Sequence, residues 1–170
     1  MTDPSAACVL VTIPISHYCE KARWALEWAG VPYRERAHLQ VLHWVAARRA
    51  GGGRTVPVLV CGGRVWSDSS DIVDYADSRA PEHRKLFPED AAEAAGARTL
   101  EREFDERLGP HGRRWMYHGI RRRRDLVLRY GPTGVPAWQR RALPLAWPVA
   151  ARVIDRYLDI TPESAAESLE

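Results

Sequence analysis

The sequence predicts an α/β domain followed by an all-α region, and three observations carry that prediction. Short β-branched runs alternate with helix-patterned segments through residues 1–80. A proline, Pro57, sits inside the otherwise continuous strand-like run "TVPVLV". Past the proline-bearing stretch 81–90, the strand signal disappears and the spacing turns helical over 91–170. The expected division is therefore an α/β domain at 1–80, a linker at 81–90 and a helical domain at 91–170.

Cys8 to Ile13 is apolar and β-branched, as a strand covered on both faces would be. Pro14 turns the chain, and "SHYCEKARWALEWAG" then reads as a helix over Tyr18 to Ala29 with Gly30 as its stop. Tyr18, Ala22, Ala25, Leu26 and Ala29 share one side, and Trp24 and Trp28 lie a turn apart on another. Two apolar faces predict a helix pressed between its own sheet and a second layer. Tyr33 to His38 alternates charges, which places a second strand near an edge; with a helical crossover it should pair parallel to the first. Leu39 to Ala50 is a weaker helix closed by three glycines.

Thr55 to Val60 is the third strand. Pro57 has no N–H for a ladder, so its presence makes sense where the Val56–Pro57 bond is cis and the backbone turns out toward a ligand. Cys61-Gly62-Gly63-Arg64 forms a turn into Val65-Trp66, and a helix opens at Ser67 to Ser69 with Ile72, Val73, Tyr75 and Ala76 inward. The order βαβ-α-ββα is that of the thioredoxin fold. In the second half Leu100, Phe104 and Leu108 recur every fourth residue before Gly109-Pro110, which should end or kink that helix. Asp125 to Tyr130 reads as a helix, 131–136 as a loop, and Val149 to Leu158 as an amphipathic helix. Thr161-Pro162-Glu163 reads as a fresh start, with Thr161 as cap and Pro162 at the first position.

Composition narrows the class. Hydrophobic residues make up 45% and charged residues 28%, which fits a soluble globular chain. No apolar run of membrane-spanning length occurs and the start lacks a signal-peptide pattern, so a cytoplasmic protein without membrane contact is expected. Cys8, Cys19 and Cys61 form an odd, widely spaced set, with neither zinc spacing nor a disulfide framework. No metal site is expected, since the histidines lack ligand spacing. The net charge of +3 is carried almost wholly by arginine. The cluster Arg113, Arg114 and Arg121 to Arg124 reads better as a solvated face than as a nucleic-acid surface, because Glu101, Glu103, Asp105 and Glu106 precede it.

"SHYCEKARWALEWAG" followed by "VPY" resembles the active-site turn, first helix and second strand of the glutathione transferase family. The likeness is to bacterial, zeta-like and omega-like types, which have Ser or Cys where Ser16 stands. It also resembles the glutaredoxin CxxC turn with Ser16 in place of the first cysteine and Cys19 kept as the second. Val56-Pro57, Asp68-Ser69 and "DYAD…LFP" follow in the family's order. The resemblance implies that Ser16 activates a bound thiol, that the backbone at Val56 and Pro57 pairs with its cysteinyl unit, and that Asp68 and Ser69 clamp its γ-glutamyl group. Residues at helix starts suit such an anion, since free N–H groups and the helix dipole point at it. His17 stands where a proline is usual, and Cys19 has no partner thiol in the turn. His38, Gln40 and His43 fall where the family contacts the glycine carboxylate. His17, Cys19 and His43 are thus secondary candidates.

The implied function is conjugation or isomerisation of a small electrophile with a bound low-molecular-weight thiol, glutathione or another such as mycothiol, in a homodimer. Two other readings stand beside it: a non-catalytic module of the same fold, and a monothiol glutaredoxin-like reductase, which Ser16 disfavours. The helical domain is expected to be shorter than the family's, leaving apolar surface that favours self-association.

Overall fold

The computed structural model describes residues 8–121 and 123–168. Its first half is a four-stranded sheet with helices on it, in the order β1 (Cys8–Thr12), α1 (His17–Trp28), β2 (Tyr33–Ala37), α2 (His43–Arg49), β3 (Val58–Cys61), β4 (Arg64–Trp66) and α3 (Ser69–Arg79). The sheet order is β2-β1-β3-β4. β1 runs parallel to β2 and antiparallel to β3, and β3 and β4 form a hairpin. This is a thioredoxin fold. The two apolar runs, β1 and β3, take the centre, and the charged β2 takes an edge where Arg34, Glu35 and Arg36 face solvent.

Its core is tight. Leu10, Leu26, Leu59 and Ile72 have no exposed surface, and α1 and α3 close over one face of the sheet through Ala22, Ala25 and Ala76. Small alanines let these two helices sit close to each other and to the strands. Val11, Ala47 and Val58 form a smaller cluster under α2 on the other face.

Several elements differ from the sequence expectation. β3 begins at Val58 instead of Thr55, because Pro57 offers no ladder donor; the Val56–Pro57 peptide is cis. α2 begins at His43 instead of Leu39, since Val41 adopts φ 72°, a left-handed conformation that no helix tolerates. Trp24 and Trp28 do not meet a second layer: they are 66% and 53% exposed. The expectation of no disulfide is also corrected. The register Val9↔Val60 brings Cys8 opposite Cys61, 53 residues away in sequence, and the two sulfurs are joined. Sequence spacing alone does not reveal a cross-strand pair that only the fold assembles. Cys19 remains free and buried.

The second half is helical: α4 (Ala91–Glu103), a π-turn (Phe104–Leu108), α5 (Gly109–Ile120), α6 (Arg124–Tyr130), α7 (Ala137–Leu158) and α8 (Pro162–Glu167). Gly109-Pro110 does not end the helix; the chain passes through the π-turn into α5. α7 starts a dozen residues earlier than expected and contains Pro144 and Pro148. The last helix has Thr161 as cap in a reciprocal box with Ser164, and Pro162 at its start. Tyr117, Val127, Leu143, Trp147, Ile154 and Ile160 form the helical core, and Leu39 from the loop after β2 plugs into it.

The halves are joined by polar groups. Lys21 on α1 pairs with Glu101 at 2.6 Å and with Asp105, while Ser70 on α3 donates to Glu101 at 2.7 Å and to Asp105 at 3.1 Å. Burial disfavours the Lys21 ammonium, but its bonds and attraction to Asp105 and Glu101 outweigh this and hold its pKa above the usual value. On the far side Gln139, buried in α7, accepts from the Leu39 N–H at 2.8 Å.

Candidate functional site

Two helix starts and the turn before β3 face a cavity of about 730 Å³ between the sheet unit and the helices. Its walls include Ser16, His17, Val56, Pro57, Asp68, Ser69 and His43, so the fold brings all of these sequence candidates to one place. Cys19 is not among its walls; it lies one turn into α1 with its side chain sealed in the core.

Ser16 caps α1: its Oγ accepts from the Cys19 N–H at 3.3 Å. That bond uses an oxygen lone pair and leaves the hydroxyl hydrogen free, with no described residue taking it. A cap and a donor to a ligand are therefore compatible. His17, the next residue, is exposed at the rim; burial of part of its ring and the Arg113 charge lower its pKa, against a smaller raising effect of Asp105. It is neutral near pH 7. Burial pushes the Cys19 thiol up, only partly countered by its bond to Ser16. Cys19 is thus a packed thiol without thiolate character.

On the opposite wall Asp68 caps α3, its carboxylate accepting from Ser70 N–H at 2.8 Å, while Ser69 is buried at the first helical position. The Asp68 side chain stays exposed, with one oxygen committed to the cap. A carboxylate beside an unpaired helix start holds an ammonium and a carboxylate side by side, the two charges of an amino-acid end group. His43 at the start of α2 is buried, its Nδ1 has no partner, and burial drives its pKa down to about 4. His43 is thus a largely buried, neutral ring among the cavity's lining residues.

The helical half supplies groups that the sequence did not single out as site residues: Arg113, Met116 and Tyr117 of α5, and Val153, Ile154 and Tyr157 of α7. Their period marks them as core or surface and nothing more; only the docking of α5 and α7 over the sheet makes them a wall. Tyr18, adjacent to the cap, is taken up elsewhere, donating to the Asp105 carbonyl at 2.8 Å. A second, almost wholly apolar cavity of about 330 Å³ adjoins the first, sharing Ile15, Val41 and Tyr117.

Residues 10–84 match the family described as glutathione S-transferase, N-terminal domain. Solved structures with the same fold include the beta-etherase LigF from Sphingobium sp. strain SYK-6, at 18% identity and TM-score 0.63, covering 99% of this chain and 68% of that one. The glutathione transferase GSTFuA3 from Phanerochaete chrysosporium has 17% identity and TM-score 0.58, with 96% and 68% covered. A glutathione transferase homolog from Burkholderia gl BGR1, solved with bound glutathione, has 18% identity, TM-score 0.53 and 96% of each chain covered. No curated protein sequence matches the chain. At these identities the structural likeness speaks for the fold alone. Residues 10–84 are thus similar to the glutathione S-transferase N-terminal domain, and the chain shares with these solved structures the arrangement of a thioredoxin-fold unit followed by helices. No described helix is long and apolar enough to cross a membrane.

Proposed function

We propose that the protein transfers a low-molecular-weight thiol, glutathione or a relative such as mycothiol, to a small electrophile, or uses that thiol to isomerise it. The supporting observation is the convergence of Ser16, the Val56–Pro57 turn and the Asp68-Ser69 helix start on one cavity. In this reading Asp68 and Ser69 hold the charged end of the thiol, the backbone at Val56 and Pro57 pairs with its middle, and Ser16 donates to its sulfur. His43 lines the same cavity. His17 and Cys19 take no chemical step. The electrophile lies against α5 and α7. Residues 1–80 form the thiol-binding domain, 81–90 the linker and 91–170 the helical domain; the working form is a cytoplasmic homodimer.

A free thiol has a pKa near 8.5, so only about a few per cent is thiolate at neutral pH. A hydroxyl bond to the charged sulfur contributes roughly 1.5–3 kcal/mol. At about 1.4 kcal/mol per pKa unit this lowers the thiol by about one to two units. Ser16→Ala therefore keeps thiol affinity and loses about tenfold or more in turnover, with the pH profile displaced upward. Cys19→Ala is nearly silent. Thiol affinity by calorimetry and rate against pH for both variants test this; full rate with an unchanged profile in Ser16→Ala reduces Ser16 to a cap.

A further inference from the structure

Acidic and basic groups alternate around the cavity, and several of them are already engaged. Asp74 pairs with Arg98, Glu101 and Asp105 share Lys21 and Ser70, and Asp68 caps α3. Arg54, Arg102, Glu106 and Arg113 have no such partner among the described residues; the first three are exposed, and Arg113 alone of the four is partly buried. It projects from α5 into the cavity wall, partly buried, with its Nε sealed from solvent and without any hydrogen-bond partner. Among the described residues it pairs with no carboxylate; Glu106, the other lining acid, is exposed and makes no ion pair with it.

The sealed Nε cannot be reached from the cavity, so a ligand there satisfies the guanidinium through its Nη groups, which no described residue bonds. The group that does so best is a planar carboxylate, which takes two parallel N–H bonds from one guanidinium. The thiol's own charged end is placed elsewhere, at the α3 start on the sheet side. An anion at the Arg113 Nη groups would therefore come from the second substrate, next to Met116 and Tyr117, which offer an apolar and aromatic wall for the rest of that molecule.

Resting on the thiol-transfer reading, we propose that the electrophile is a small carboxylate-bearing compound whose carboxylate is bound by Arg113. The geometry serves orientation as well as affinity: a bidentate pair fixes one end of the molecule, and so the direction in which its reactive carbon faces the sulfur near Ser16. Arg113 is a specificity-determining residue in this account.

The test uses a matched pair, 4-chloro-3-nitrobenzoate and the neutral 4-chloro-3-nitrobenzamide, on the full chain with glutathione. In the reaction the thiolate sulfur bonds to the chlorinated ring carbon, chloride leaves with the electron pair, and the thiol proton passes to buffer. Each rate is divided by that compound's uncatalysed rate, and binding of each compound to thiol-free protein is measured by calorimetry. The expected result is about tenfold or greater preference for the benzoate in both readouts. Arg113→Gln removes that preference by weakening the benzoate alone, and Arg113→Lys restores part of it. Equal binding of the two compounds, or equal losses in Arg113→Gln, overturns the proposal. If neither compound turns over yet the benzoate still binds selectively through Arg113, thiol transfer fails and the anion site stands. If both turn over with no selectivity, the anion site fails and thiol transfer stands.

Discussion

The two halves of this chain bury their apolar residues to very different degrees. In the sheet unit Leu10, Leu26, Leu59 and Ile72 are sealed completely. In the helical unit Leu100, Phe104 and Leu108 keep half or more of their surface exposed, as do Trp115, Trp138, Leu145, Val149 and Tyr157. A central sheet gives each apolar strand two faces to cover; α1 and α3 cover one with small alanines at the contact, and α2 lies on the other. The helices have no such platform. Their core is built around a narrow seam and depends on Leu39, a residue borrowed from the sheet unit. One half is a self-sufficient scaffold that positions the cap of α1; the other is a wall that leans on it.

This contrast can be broken most directly in the cores. Leu59→Ala removes a fully buried side chain from the central strand and costs about 2–5 kcal/mol. Leu108→Ala, 62% exposed, shifts stability by about 0.5 kcal/mol or less. Urea unfolding of the two variants reads the difference. A large loss in Leu108→Ala would show that its face is covered in solution, as in a dimer.

Acid should act on the seam between the halves. His43 has its pKa lowered from 6.5 to about 4, chiefly by burial, with His38 adding in the same direction. The folded state thus resists the proton that the unfolded chain accepts. The stability from this group is fully present above about pH 6.5 and is lost as pH falls toward 4. The full loss is on the order of 3 kcal/mol at about 1.4 kcal/mol per unit. His38 and His17 are lowered as well and act with the same sign. His38 faces a specific loss, since its Nδ1 accepts from the buried Gln139 amide at 2.9 Å and cannot do so when protonated. His43→Gln should flatten the fall in melting temperature between pH 6.5 and 4; an unchanged slope would place the acid sensitivity elsewhere.

The sheet unit was legible because its signals are local: β-branched runs, a crossover helix, a glycine turn. The cap and proline of α8 were legible for the same reason. The helical unit misled at Pro110, Pro144 and Pro148, where the helix runs on past the proline. Pro148 removes the donor that would bond the Pro144 carbonyl, and a local reading stops the helix there. In the structure Arg124, from α6, donates to that carbonyl at 3.0 Å, and the helix continues. Pro110 is the same case. In π register its missing N–H would leave the Asp105 carbonyl open, and the Tyr18 hydroxyl fills it. Both repairs come from distant residues, so no window of sequence around the proline contains them. Arg113 was hidden differently, as one arginine in a basic run of which Arg123 and Arg124 face solvent. Cys8 and Cys61 were hidden by register, which spacing does not carry.

The Tyr18 repair gives the finest test of how the halves meet. α5 starts at Gly109, and a Cβ there would fall against the Tyr18 hydroxyl, with Tyr18 Cζ and His17 Nε2 at 3.0 Å. Gly112, three residues on in the same helix, has nothing within 4 Å of its would-be Cβ. Alanine is the better helix former by about 0.8–1.0 kcal/mol, so Gly112→Ala should be stabilising by up to that amount. Gly109→Ala gains the same propensity but overpacks a tight contact, which costs about 1–3 kcal/mol. Its net effect is a loss of about 1 kcal/mol, together with displacement of Tyr18 from the Asp105 carbonyl. Tyr18→Phe removes the hydroxyl that the new methyl strikes. It loses its own hydrogen bond, but in that background the further cost of Gly109→Ala should shrink toward zero. Thermal denaturation of the double-mutant cycle measures the coupling. If Gly109→Ala and Gly112→Ala stabilise alike, α1 and α5 are not held in this close contact, and the wall that carries Arg113 is free to shift relative to Ser16.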